Sequence, residues 1–274
     1  MHSTNVLTLD SMYTTNINII ASIPDFNLVL DVISSYAIGE TKEHIGERIL
    51  HKNVFGIRTG RSRSRFLDGI ISAFISFKSD HHESVFFSLF KHSGLLRVKQ
   101  LAIFYQFLIN DNLFYDLSSN VFLKLYTAGR LSIEKNRFES HLYALRERNP
   151  EIRQWSDSTI KTIASKYLTL LKKFNYLKGS SKKEFCNITH DDASLVYIVY
   201  LLKSLGDSEP DILKNQYTPL LMMSSKNLAD RLKKISLTDF FTVTTLGYDL
   251  KVDLRYNYRE VVDVIIQRYQ PEIQ

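Results

Sequence analysis

Residues 153–183 concentrate side chains suited to one chemistry, the binding of phosphate. Arg153, Lys161, Lys166, Lys172, Lys173, Lys178, Lys182 and Lys183 stand against a single acid, Asp157. The local net charge of +7 exceeds the +6 of the whole 274-residue chain, so the remaining residues together carry −1. A positive excess held on one short stretch is the electrostatic footprint of a polyanionic partner. A second cluster, Arg58-Thr59-Gly60-Arg61-Ser62-Arg63-Ser64-Arg65, follows His51-Lys52. The guanidinium fork matches phosphate oxygens in pairs. The run also stands at the start of an apolar-periodic segment, where free helix amides favour anions. It lacks the G-x-x-x-x-G-K-[ST] pattern, so it is not a nucleoside-triphosphate loop.

The first cluster needs a helix and a hairpin to position it. Ser156 or Asp157 caps a helix running to about Asn175, with Ile160, Ile163, Ala164, Tyr167, Leu168, Leu171 and Phe174 as its core stripe. The opposite face carries Ser158, Lys161, Thr162, Ser165, Lys166, Thr169 and Lys172. Tyr176–Lys178 and Lys183–Ile188, joined through Gly179-Ser180-Ser181-Lys182, predict a small hairpin. A helix followed by a tight basic hairpin is the layout of a winged helix-turn-helix. Such a helix enters a major groove about 12 Å wide, its first turns facing base edges and its lysines facing phosphates. The expected DNA contacts are Ser158, Thr159, Lys161, Thr162, Ser165, Lys166 and Lys172 on the helix, Lys182 and Lys183 on the wing, and Arg58, Arg61, Arg63 and Arg65 from the second cluster. The competing readings are a solvated basic face, a winged helix that docks proteins, and arginines paired with Glu40, Glu43 and Glu47.

The rest of the chain reads as mainly α. Up to Ser118, apolar residues recur at three- and four-residue steps (Phe26 to Tyr36, Ile45 to Val54, Phe66 to Phe77, Val98 to Ile109), and period-2 alternation is missing. From Val121 a short helix ends at Gly129, Ser132 caps a helix to Arg148, and Asn149-Pro150 closes it. Gly206–Pro210 reads as a linker into a helix at 225–235. Then comes a strand pair, in which Leu250, Val252 and Leu254 alternate with Lys251, Asp253 and Arg255, and a final helix at 259–269. The expected fold is a helical N-terminal domain (1–118), a winged helix-turn-helix (119–206) and a C-terminal helix–β-hairpin–helix unit (207–274).

Other chemistry finds little support. His81-His82-Glu83 and His92, expected in a loop and at a helix edge, have no H-E-x-x-H spacing or matching third ligand. His190-Asp191-Asp192 reads as a capping turn, and Cys186 as a small buried strand residue. One cysteine builds no intrachain disulfide, which fits a reducing compartment. The longest apolar run, Leu195–Leu202, falls well short of the roughly 18–20 residues that span a bilayer, and Met1–Asn5 does not read as a signal peptide. A cytoplasmic, non-enzymatic protein without cofactor, metal or membrane contact is expected.

Trp155-Ser156-Asp157-Ser158-Thr159-Ile160-Lys161, continuing through Ala164, Tyr167-Leu168, Leu170-Leu171 and Phe174, resembles the central block of the BrxA family of bacteriophage-exclusion (BREX) defence systems. Tyr13-Thr14-Thr15, the Arg run at 58–65 and the stretch from Phe240 to Ile266 fall in family order. The resemblance implies a largely helical, cytoplasmic, double-stranded DNA-binding accessory protein. It would act beside the methyltransferase, phosphatase-like and ATPase members of its system. The alternative is a scaffold that joins other BREX components.

Overall fold

In the computed structural model, residues 13–23, 25–206, 211–247 and 249–269 are described. Residues 207–210 of the expected linker lie outside them, as does Tyr248 of the C-terminal turn. Helices dominate, and one hydrophobic core runs from Ile17 to Ile265.

Helix α1 (Ile17–Ala21), α2 (Asn27–Ala37), α3 (Lys42–Gly46), α4 (Gly60–Phe74), α5 (Asp80–Phe90) and α6 (Leu96–Asn110) make up the first part. Hydroxyl caps set several of their starts: Thr41, Thr59 and Ser79 accept from the amides of His44, Ser62 and His82. Helix α6 is buried on nearly every side, and its polar residues bind inward. Gln106 donates to the carbonyls of Phe74 and Ser76 at 3.2 and 2.9 Å, satisfying backbone groups where α4 ends. Asp111, fully buried, caps α7 (Asn112–Leu117) by accepting from Phe114 N at 2.8 Å. It also accepts from Thr15 Oγ1 and Asn16 N at 2.8 Å each, which fastens the segment ahead of α1. Burial pushes its pKa up to about 6 in spite of these donors.

Beyond a π-helical turn at 118–122 come α8 (Leu123–Thr127), β1 (Ser132–Ile133), α9 (Lys135–Arg148), α10 (Asp157–Lys173), β2 (Leu177–Lys178), β3 (Lys183–Phe185) and α11 (Asp192–Ser204). The three strands form an antiparallel sheet in the order β1-β3-β2, with Ile133 opposite Lys183 and Leu177 opposite Phe185. The hairpin turn depends on Gly179: its φ is +87°, and a Cβ there would stand 2.1 Å from the carbonyl oxygen of Lys182. The C-terminal unit is α12 (Ser225–Ser236), β4 (Phe241–Leu246), β5 (Asp249–Leu254) and α13 (Val261–Tyr269). Leu250 and Val252 face inward, as their alternation requires. Tyr200 of α11 fastens this unit, donating to Phe240 O at 2.6 Å and accepting from Tyr256 N at 3.1 Å.

Three local expectations need correction. Ser132 does not cap α9; with Ile133 it forms β1, because the chain there pairs with the hairpin, and α9 starts three residues later without a side-chain cap. Cys186 follows β3 and is half-buried; its amide donates to Tyr176 O at 3.0 Å. His81, His82 and Glu83 lie in the first turn of α5, not in a loop.

His82 is buried in the core. Its Nδ1 accepts from Lys78 N at 3.2 Å, and its Nε2 stands 2.7 Å from Gln106 Oε1. The Gln106 amide, oriented by its two carbonyl partners, presents oxygen to the ring, so the neutral Nε2–H tautomer fits. Burial lowers the His82 pKa to about 4. Because the folded pKa lies below the unfolded one, this contribution to stability is complete above about pH 6.5 and fades as pH falls toward 4. The urea-unfolding gap between wild type and His82→Asn should therefore shrink by about 2 kcal/mol from pH 7 to pH 5. An unchanged gap would mean that the imidazole is not held neutral.

Candidate nucleic-acid interface

Helix α10 is amphipathic along all of its 17 residues, and Ser156 caps it by accepting from Thr159 N at 3.1 Å. Its apolar side packs against α1 and α9. Tyr167 and Phe174 reach Phe114 at ring-centroid distances of 5.4 and 6.1 Å, and Tyr167 reaches Phe138 at 5.0 Å. The Tyr167 hydroxyl is satisfied by Ser118 Oγ at 2.9 Å, so the ring is buried without an orphan polar group. With that face anchored, Ser158, Lys161, Thr162 and Ser165 are exposed, and Lys166 is half-exposed.

Two hollows meet along this outer face. One, of about 560 Å³, is lined by Ser158, Lys161, Thr162, Ser165, Lys166 and Lys135. The other, of about 640 Å³, lies between α10, α1, the 55–58 loop and the start of α4. Its rim carries Thr162 and Lys166 from α10 with Arg58, Ser62 and Arg65 from the other basic cluster; its floor includes Ile19, Phe55 and Phe66. Thr162 and Lys166 belong to both. Two cation clusters about a hundred residues apart in sequence thus form one surface.

The structure sorts the cations. Among the described residues, the side chains of Arg58, Arg61, Arg65, Lys161 and Lys172 have no hydrogen-bond or ion-pair partner, and that of Lys166 bonds only a neutral group, Ser22 Oγ, at 2.9 Å. Glu40 pairs with Arg48 and His44, and Glu47 with Lys52, so they do not neutralise the arginine run. Other members are committed internally. Arg63 turns back to donate to Ile57 O at 3.1 Å. Lys173 donates to Ala21 O at 3.0 Å and to Ile23 O, binding the carbonyl end of α1; burial lowers its pKa. Lys183 donates to the carbonyls of Gly179 and Ser180 in its own turn, and Lys182 sits 3.6 Å from Glu184. Neither hairpin lysine lines the shared surface, nor does Arg61 or Lys172. Thr159 faces a different hollow, with Tyr13, Gln154 and Trp155.

Sequence reasoning missed Lys135, which opens α9 and pairs with Glu139 at 3.0 Å, and Phe55. Lys135 lies 18 residues before the charge-rich stretch, and its place beside Lys161 follows only from α9–α10 packing. Among the described residues no group of three or more His, Cys, Asp and Glu is placed to hold a metal ion, and no helix is long and apolar enough to cross a membrane. His92 instead pairs with Asp263 at 2.9 Å, and His81 stacks on Tyr258.

The committed and free lysines should differ in stability. Lys173→Met should cost about 1–3 kcal/mol by leaving the α1 carbonyls without their charged donor. Lys172→Ala should stay within about 0.5 kcal/mol of wild type. Urea-denaturation midpoints of the two variants, measured side by side, check the assignment.

No curated protein matches the chain. The fold is similar to one seen in a crystal structure of an uncharacterized protein from Magnetospirillum magneticum. Their TM-score is 0.55 at 16% identity, covering 71% of this chain and 98% of that one, a likeness of fold alone. The BrxA family profile matches residues 25–194, which include the Arg run, the whole of α10 and the hairpin. That match spans more than half of the chain and carries the resemblance read from Trp155–Phe174 to its conclusion: the chain belongs to the BrxA family, components of the bacteriophage-exclusion (BREX) phage-defence systems.

Proposed function

We propose that this BrxA-family chain is a non-enzymatic double-stranded DNA-binding protein, acting in the cytoplasm beside other BREX components. The observation that carries the reading is the convergence of Arg58 and Arg65 with Lys161 and Lys166 on one surface, without acidic partners among the described residues. In this reading, α9 and α10 with the β1-β3-β2 sheet form a winged helix-turn-helix. The element order α8, β1, α9, α10, β2, β3, with β1 pairing the second strand of the hairpin, supports that assignment. Helix α10 is the groove helix, with Ser158, Lys161, Thr162 and Ser165 outward, and the α4 start supplies a second phosphate clamp. Lys182 and Lys183, engaged within the hairpin, contribute less than the α10 and α4 cations. Because most of the groups suit phosphates, sequence preference is weak.

Fluorescence anisotropy with a short labelled duplex between 50 and 300 mM salt tests this. About six neutralised phosphates give a log–log salt slope near −5. Joint replacement of Arg58, Arg65, Lys161 and Lys166 by Ala should flatten the slope to about −2. Lys182→Ala with Lys183→Ala should change it by less than half as much. Absence of binding at the lowest salt would remove the DNA reading and recast the surface as a dock for an acidic protein partner.

A further inference from the structure

The hollow between α10 and the start of α4 has a feature that a phosphate clamp does not use. Beneath the rim formed by Arg58, Arg65 and Lys166, its floor is apolar and aromatic, and its volume of about 640 Å³ falls among ligand pockets. Phe55 and Phe66 meet edge-to-face in that floor with ring centroids 5.9 Å apart; Phe66 is buried, while Phe55 is only partly so. The loop that presents Phe55 is held from both sides: Asn53 Oδ1 accepts from Ile57 N at 2.8 Å, and Arg63 donates to Ile57 O. The recess is therefore preformed, and Arg63 acts as its positioning residue.

An intact duplex has nothing to fill it. Stacked bases hide their faces and offer a protein only phosphates and groove edges. An unpaired nucleotide offers both parts that the recess matches, a flat base for the aromatic floor and adjoining phosphates for the rim. Base-on-aromatic stacking beside cationic backbone contacts is how proteins hold unstacked nucleotides. Resting on the DNA reading, we propose that this recess binds an unpaired nucleotide, its base against Phe55 and its flanking phosphates on Arg58, Arg65 and Lys166. The protein would then favour DNA carrying a bulged or extruded base over fully paired duplex.

The test compares two labelled duplexes of one sequence, one fully paired and one with a single unpaired adenine, at fixed salt. Wild type should bind the bulged duplex about tenfold more tightly, within the gain that one stacked base provides. Phe55→Ala, which empties the floor, and Ser22→Trp, which fills the recess from an exposed position at its edge, should each abolish that preference. Affinity for paired duplex and its salt slope should stay unchanged in Phe55→Ala; Ser22→Trp also removes the hydroxyl partner of Lys166, so it is read by the ratio of the two duplexes alone. Should Phe55→Ala fail to fold, the surface substitution at Ser22 still decides. Equal binding of the two duplexes by wild type, with normal salt dependence, would overturn the pocket assignment and leave the duplex reading standing. A preference that survives both substitutions would overturn it too, tracing discrimination to duplex flexibility instead. Failure to bind either DNA would remove both readings and leave an apolar side chain of an acidic protein as the occupant to pursue.

Discussion

Tyr167 of α10 and Phe174 at its C-cap project into a cluster of rings formed with Phe104, Phe114 and Phe138, and the burial of those two side chains sets how the rest of the helix is oriented. Successive residues of an α-helix are turned by about 100°, so once Tyr167 and Phe174 are fixed inward, Ser158, Lys161, Thr162 and Ser165 are fixed outward. Rotating the helix by one residue would bury Lys166 and expose Ile160. A desolvated, unpaired ammonium is far costlier than any packing such a rotation would recover. The basic face is thus a consequence of the aromatic core beneath it.

The same core explains how the second cluster arrives at the first. Helix α4 packs on α6 and α1, and α1 packs on α10. Five-residue α1 is too short to be stable alone; it is held by Asp111 at its front, through Thr15 and Asn16, and by Lys173 at its back. These buried polar ties fix the spacing between the start of α4 and the outer face of α10, and with it the hollow between them. They also show why net charge is a poor guide to a binding face. Lysines adjacent in sequence, 172 and 173, have opposite fates, one in solvent and one bonded to backbone carbonyls.

Much of the architecture can be read from local pattern. The stripe from Ile160 to Phe174 marks α10 and its inward face, Ser156 marks its first turn, and Gly179 marks the hairpin. The alternation at 250–254 marks β5. Each is a local constraint, set by residues within a few positions of one another. Two of the elements that escaped that reading did so for the same reason in reverse. Strand β1 is two residues long and exists because β3 offers it a partner, and α1 owes its helix to the groups that clasp it. Neither carries enough periodicity to announce itself.

The division is sharpest at the candidate interface. The composition of residues 58–65 and 153–183 determines that the chain carries two concentrated positive clusters, because the charges are covalently part of those segments. Which of those charges remain available was settled by packing: Arg63, Lys173 and Lys183 are bonded within the protein, whereas Arg58, Arg65, Lys161 and Lys166 face outward. The apolar floor between them, built on Phe55, has no signature in sequence at all. A pocket forms where separate elements fail to fill space between them, and that is a property of their arrangement in three dimensions.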